Sequence, residues 1–188
     1  MNQNLKVLGI SGSLRRGSFN SAALRAAREL APQGMSVELA DISAIPLYNE
    51  DVRQAGLPAS VETFRQAIRE ADALLIACPE YNYSVPGVLK NAIDWASRPP
   101  EQPFEGKPVA IFGASPGMLG TARAQYHLRQ CFVSLNAPVV NRPEVMIASA
   151  NQKFDQDGQL TDDKTRELLG RLLESLALLA RRWRQPVG

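Results

Sequence analysis

Five short apolar runs alternate with five helical patterns along this chain, and that alternation limits its fold more than any other feature. The runs lie at 5–10, 35–40, 73–77 and 108–112, with a fifth at 139–140 or 145–147, a choice that Pro138 and Pro143 leave open. Helical patterns cover 19–30, 60–70, 88–97, 121–135 and 161–184. Alternating elements of this kind bury best as a parallel sheet with helices on both faces, an α/β three-layer sandwich. Right-handed crossovers leave few topologies. A five-stranded open sheet then takes the order 2-1-3-4-5, with ligands at the switch point between strands 1 and 3. The 188 residues fit a single domain, 1–188.

Helix ends and connections are partly readable. Ser60 is expected to cap the second helix, with Glu62 in its first turn. Thr161 is expected to cap the last, which carries Asp162 and Asp163 at its start and Arg181, Arg182 and Arg184 at its end. Those charges complement the helix dipole, so the basic cluster reads as a solvated helix end. Its leucine stripe from Leu168 to Leu179 reads as core. The long connection 41–59 has few periodic apolar positions, and long loops in compact domains are often functional.

Three unusual loops follow strands 1, 3 and 4, which the expected order makes neighbours. The first, Ser11 to Ser18, is rich in hydroxyls and glycine and leads into a helix N-terminus, where backbone N–H groups favour an anion. Ser11, Ser13, Ser18 and Asn20 add donors and Arg15 adds charge. No Gly-Lys-Ser/Thr follows, and the glycines at 9, 12 and 17 do not match the dinucleotide fingerprint. The second, Pro79 to Gly87, holds two prolines and two tyrosines after a fully buried strand. It reads either as a platform for a flat ligand or as a tight connection whose tyrosines pack on neighbours. The third, Ala114 to Gly120, lets backbone approach the same ligand closely at Gly117. One phosphate site beside one flat-ring site describes a mononucleotide. Asp41, after strand 2, reads as a loop residue.

Composition excludes several classes. A net charge of +2 does not suit nucleic acid or a membrane surface. No apolar run is long enough to span a bilayer. The two cysteines, Cys78 and Cys131, match no metal or redox spacing, and with one histidine, His127, no metal site is expected. Together with the lack of a signal peptide pattern, these features lead us to expect a cytoplasmic protein.

The segments GSLRRGSFN at 12–20 and PEYNYSVPGVLKNAIDW at 79–95 resemble the two signature segments of the NADPH-dependent FMN reductases, nearest the chromate and quinone reductase branch. The resemblance covers nearly the whole chain. It implies a flavodoxin-like fold, bound FMN, and reduction of quinones, azo dyes, flavins or metal oxyanions by NADPH or NADH. Carried over, the phosphate site falls on Ser11, Ser13, Leu14, Arg15, Arg16, Gly17, Ser18, Phe19 and Asn20. The isoalloxazine site falls on Pro79, Glu80, Tyr81, Asn82 and Tyr83, with Ser115 at the ring's edge. The flavin carries the chemistry. No side chain is expected to act as nucleophile or general acid, so no catalytic residue is named. Arg15 or Arg16 either meets the extra phosphate of NADPH or is solvated.

The family forms homodimers and often homotetramers. Arg123, Tyr126 and Glu144 are expected either to serve such an interface or to pair within the chain. Cys78 is expected to be a small buried residue and His127 a surface one. Two other classes stay open at this point: a flavodoxin-type FMN electron carrier that does not oxidise NAD(P)H, and a nucleotide-binding module without flavin. The mildly basic charge speaks against the carrier, because flavodoxins are strongly acidic.

Overall fold

In the computed structural model of the chain, residues 4–183 are described. Five parallel strands, β1 (Leu5–Ser11), β2 (Met35–Ala40), β3 (Ala73–Ala77), β4 (Val109–Ala114) and β5 (Val145–Ile147), form one sheet in the order β2-β1-β3-β4-β5. The helices are α1 (Phe19–Glu29), α2 (Glu50–Ala55), α3 (Ala59–Glu70), α4 (Gly87–Ala96), α5 (Ala122–Ser134) and α6 (Asp163–Trp183). The expected order and layering therefore hold.

The sheet's alternation sorts its side chains into two cores. Ala73, Leu75 and Ala77 of β3 join α1 and α6 on one face, whereas Leu74 and Ile76 join α3, α4 and α5 on the other. Both faces of β3 are buried, which explains why its sequence is uninterruptedly apolar. The three strands that lead to the unusual loops are the central ones. Only β2 and β5 are edges.

Several expected boundaries shift for backbone reasons. The fifth strand is Val145–Ile147. Val139 makes a single parallel bridge to Val109, between Pro138 and the loop that holds Pro143. The strand at 108 begins one residue later, because Pro108 has no N–H to give, although its carbonyl accepts from Leu74 N at 2.8 Å. Ser60 does not cap α3. Pro58 sits at the cap, its carbonyl accepts from Val61 N and Glu62 N, and Ser60 lies in the first turn. Asp162, not Thr161, caps α6 by accepting from Thr165 N at 2.9 Å, and the Thr161 hydroxyl bonds Lys153 O instead. Arg184 lies outside the described residues.

The connection 41–59 is partly helical and is strapped to α4. Asn91 Nδ2 and Trp95 Nε1 both donate to Pro46 O at 2.8 Å, and Tyr48 N donates to Asn91 Oδ1 at 2.8 Å. Arg65 supports the other end of α4. Its buried guanidinium donates to the carbonyls of Ala96, Arg98 and Glu101, closing a helix C-terminus whose carbonyls have no partner inside the helix. With both ends of α4 held, the loop that precedes it has a fixed base.

Candidate functional site

The loop after β1 turns directly into α1. Ser18 is the N-cap: its hydroxyl accepts from Ser21 N at 3.3 Å. Gly12 and Ser13 are buried, while Leu14, Arg15, Arg16 and Gly17 are exposed. A Cβ at Gly12 would crowd Pro79 Cδ and Leu89, so this loop can lie against the loop after β3 only because residue 12 is glycine. The Arg15 guanidinium lies beside Gly17, 3.3 Å from where a Cβ would stand. Among the described residues, neither Arg15 nor Arg16 makes an ion pair, and no protein acceptor takes the N–H groups of Leu14, Arg16 or Gly17. Unpaired guanidinium and backbone donors at a helix N-terminus form an anion site.

Not every residue expected in that loop is available to an anion. Asn20 is buried, and its amide is spent on loop 3: Nδ2 donates to Ala114 O at 2.8 Å and Oδ1 accepts from Ala114 N at 2.9 Å. Phe19 packs against Phe154, ring centroids 5.3 Å apart, in the α1 and α6 layer. The Ser11 hydroxyl lies 2.7 Å from that of Ser21.

The loop after β3 is a tight reversal. Tyr81 and Ser84 exchange two backbone hydrogen bonds of 3.1 Å, and both central residues are left-handed, Asn82 at φ 49° and Tyr83 at φ 66°. That is the primed turn geometry, in which a tyrosine costs about 1–3 kcal/mol. Contacts to α5 hold it. The Glu80 carboxylate accepts from Arg123 Nε at 2.6 Å, Arg123 N at 3.1 Å and Ala124 N at 3.3 Å. Arg123 also pairs with it through Nη2 and lies over the Tyr83 ring, 3.5 Å from its centroid. Ser84 Oγ is 3.0 Å from His127 Nδ1. Burial pushes the Glu80 carboxyl up, but the Arg123 guanidinium and the helix N–H groups outweigh it and hold the group below its ordinary range. Tyr81 and Tyr83 remain half or more exposed, so two aromatic faces stand on a fixed turn.

The loop after β4 closes the third side. Ser115 Oγ accepts from Gly117 N at 3.0 Å, and its backbone exchanges bonds with Ile147 O and Ala150 N. Gly113 is packed so tightly that a Cβ would fall on Thr121 Oγ1 and the Cys78 carbonyl. Loops 1, 2 and 3 are therefore joined directly, through Gly12 on Pro79, Asn20 on Ala114, and Gly113 on Cys78. Cys78 is buried, and burial pushes its thiol up to about 12.

Arg123, Tyr126 and Glu144 each have a partner within the chain. Arg123 holds Glu80, and the Tyr126 hydroxyl is hydrogen-bonded to Glu144. Sequence reasoning missed the Glu80–Arg123 pairing, the left-handed turn and the Asn20 bridge. The first joins residues 43 apart and leaves no local signal.

A doubly wound sheet with an anion loop after its first strand and an aromatic turn at the switch point defines a flavodoxin-like nucleotide-binding protein. The NADPH-dependent FMN reductase family model matches residues 5–152, and the chain belongs to that family. It is 66% identical over 184 residues to an NAD(P)H-dependent FMN reductase of Pseudomonas aeruginosa, covering 98% of this chain and 100% of that protein. It is 51% identical over 168 residues to the quinone reductase of Escherichia coli K12, covering 88% and 89%. Among solved structures it resembles FerB, a flavoenzyme NAD(P)H:(acceptor) oxidoreductase of Paracoccus denitrificans. There the TM-score is 0.87 at 35% identity, over 95% of this chain and 98% of that one.

Proposed function

We propose that this chain is an FMN-dependent NAD(P)H oxidoreductase that reduces quinones, and by the same openness azo dyes, free flavins and metal oxyanions such as chromate. One observation carries the reading: an unpaired anion loop and a rigid aromatic turn are joined edge to edge at the switch point of the sheet. FMN fits the donor set. Its phosphate would take Ser13, Arg15, the N–H groups of loop 1 and the α1 N-terminus behind Ser18. Its ring would lie against Pro79 to Tyr83, with Ser115 at its edge. Bound there, FMN supplies hydride acceptance from NAD(P)H and electron delivery to the acceptor.

The chain's own residues position and insulate. Glu80 and Arg123 fix the turn, Asn20 fixes loop 3 against α1, and the exposed tyrosines leave the outer ring face open to varied acceptors. No side chain is needed as nucleophile or general acid. We place the protein in the cytoplasm as a single-domain subunit of a homodimer or homotetramer.

The test is an anaerobic visible spectrum of the FMN-loaded protein before and after NADPH. Rapid bleaching, reversed by a quinone, is expected. A yellow protein that stays yellow is an electron carrier, and one that refuses FMN overturns the assignment of all three loops.

A further inference from the structure

A second cleft lies beside the candidate flavin site. It opens at the carboxyl ends of β1 and β2, across loop 1 from the aromatic turn, and encloses 300 Å³. Its lining combines Leu14 and Leu39 with the hydroxyls of Ser11 and Ser21 and two opposite charges, Arg25 and Asp41. Leu14 is 52% exposed and Leu39 is 40% exposed. Gly9 is what lets Leu39 lie against β1, because a Cβ there would stand 2.9 Å from Leu39 Cδ2. Two exposed leucines on the walls of one cleft leave apolar surface that a flat ring would cover.

The polar groups are placed for a nucleoside. Asp41 is the first residue after β2, the position from which doubly wound folds bind ribose hydroxyls through an acid. Ser43 N donates to Asp41 Oδ1 at 2.8 Å, which orients the carboxylate. An ionised carboxylate has about four acceptor sites, so capacity remains for a diol. Hydrogen bonds from Ser43 also hold this carboxyl below its ordinary range. Ser21 and Arg25 are four apart on α1 and share a face. No carboxylate among the described residues pairs with Arg25.

We propose that this cleft is an adenosine site that receives the adenosine part of NAD(P)H, with Asp41 on the ribose hydroxyls and Arg25 on the 2′-phosphate of NADPH. This rests on the reductase reading above. It also explains why the dinucleotide glycine pattern is absent: the α1 N-terminus is reserved for the flavin phosphate, and the pyrophosphate of the co-substrate crosses the loop tip at Arg15 and Arg16. From β2 to the β3 and β4 loops is roughly 10–14 Å at about 4.8 Å per strand. An extended dinucleotide can bridge that gap.

The experiment titrates the FMN-loaded protein with 2′,5′-ADP and with 5′-AMP by calorimetry, for wild type, Arg25→Ala and Asp41→Asn. Both ligands should bind, 2′,5′-ADP more tightly. Loss of one charge-assisted contact corresponds to about tenfold in affinity. Arg25→Ala should therefore weaken 2′,5′-ADP about tenfold and leave 5′-AMP unmoved, whereas Asp41→Asn should weaken both. In turnover, Asp41→Asn should raise the KM for NADPH with the quinone KM as internal reference.

Absence of 2′,5′-ADP binding, or binding indifferent to both substitutions, overturns the adenosine site. Calorimetry needs no turnover, so the two readings can fail separately. Binding through Asp41 and Arg25 in a protein that NADPH never bleaches keeps the cleft and removes the reductase. Bleaching without such binding does the reverse.

Discussion

The Glu80 carboxylate caps a helix far from it in sequence, donating no hydrogen bond but accepting three from Arg123 and Ala124, 43 and 44 residues away. Thr121, at the N-cap position of α5, makes no side-chain cap bond of its own. One carboxylate thus does three things: it satisfies α5's first N–H groups, opposes its dipole, and anchors the arginine that lies on Tyr83.

That geometry predicts a pH dependence. Glu80 is held below its ordinary value of 4.5 in the folded protein, so the unfolded chain binds the proton more readily. Its contribution is fully present above the unfolded value and is lost as pH falls through the lower folded one. Glu80→Gln should cost about 1.5–3 kcal/mol at neutral pH, the scale of hydrogen bonds to a charged group. In urea melts, the wild-type and variant stabilities should converge as pH falls from about 5 towards 3. Parallel curves over that range would sink the assignment.

Asn20 makes a second prediction. Asn20→Ala removes a buried donor and acceptor and orphans both backbone groups of Ala114, each at a cost of about 1–3 kcal/mol. Asn20→Asp keeps the acceptor for Ala114 N but sets a carboxylate against Ala114 O. Both variants should weaken FMN, and Asn20→Asp should do so more at high pH than at low. If Asn20 instead acts only as a phosphate donor, Asn20→Ala should weaken FMN without lowering the apoprotein's urea midpoint.

How much of this was legible beforehand follows from where the signals lie. Strand order could be read because buried strands announce themselves as apolar runs and crossover handedness does the rest. The convergence of the three loops followed from that order alone. Helix α2 was invisible: none of its residues is buried, so it carries no apolar stripe. Caps were misplaced by one or two residues at Pro58 and Asp162, where a backbone carbonyl and a neighbouring carboxylate took the role expected of Ser60 and Thr161. Asn20 read as a free donor because nothing local shows that Ala114 uses its amide. The left-handed turn at Asn82 and Tyr83 was hidden too, since tyrosine is disfavoured there and long-range contacts to α5 hold it.

Cys78 borders the aromatic turn yet should be chemically silent. With burial holding its thiol at about 12, almost no thiolate exists at pH 8. Ellman's reagent on the native protein should therefore modify Cys131 at most, and both cysteines only in denaturant. Rapid reaction of two thiols in the folded protein would show that the loop opens.

Gly113 gives the sharpest steric prediction. A Cβ at this position meets two atoms from opposite sides, Thr121 Oγ1 and the Cys78 carbonyl oxygen. The first belongs to a side chain, on a residue already left-handed at φ 72°, and the second to backbone next to β3. Gly113→Ala should therefore cost about 3 kcal/mol, the upper range for overpacking a well-filled core. It should also weaken FMN, because β4 and the loop after β3 cannot both keep their places. Adding Thr121→Gly removes one collision and suits the positive φ, but leaves Cys78 O where it is. The double variant should recover less than half of the lost stability in urea melts. Full recovery would mean that the threonine alone sets the constraint and that the β3 loop has room to move.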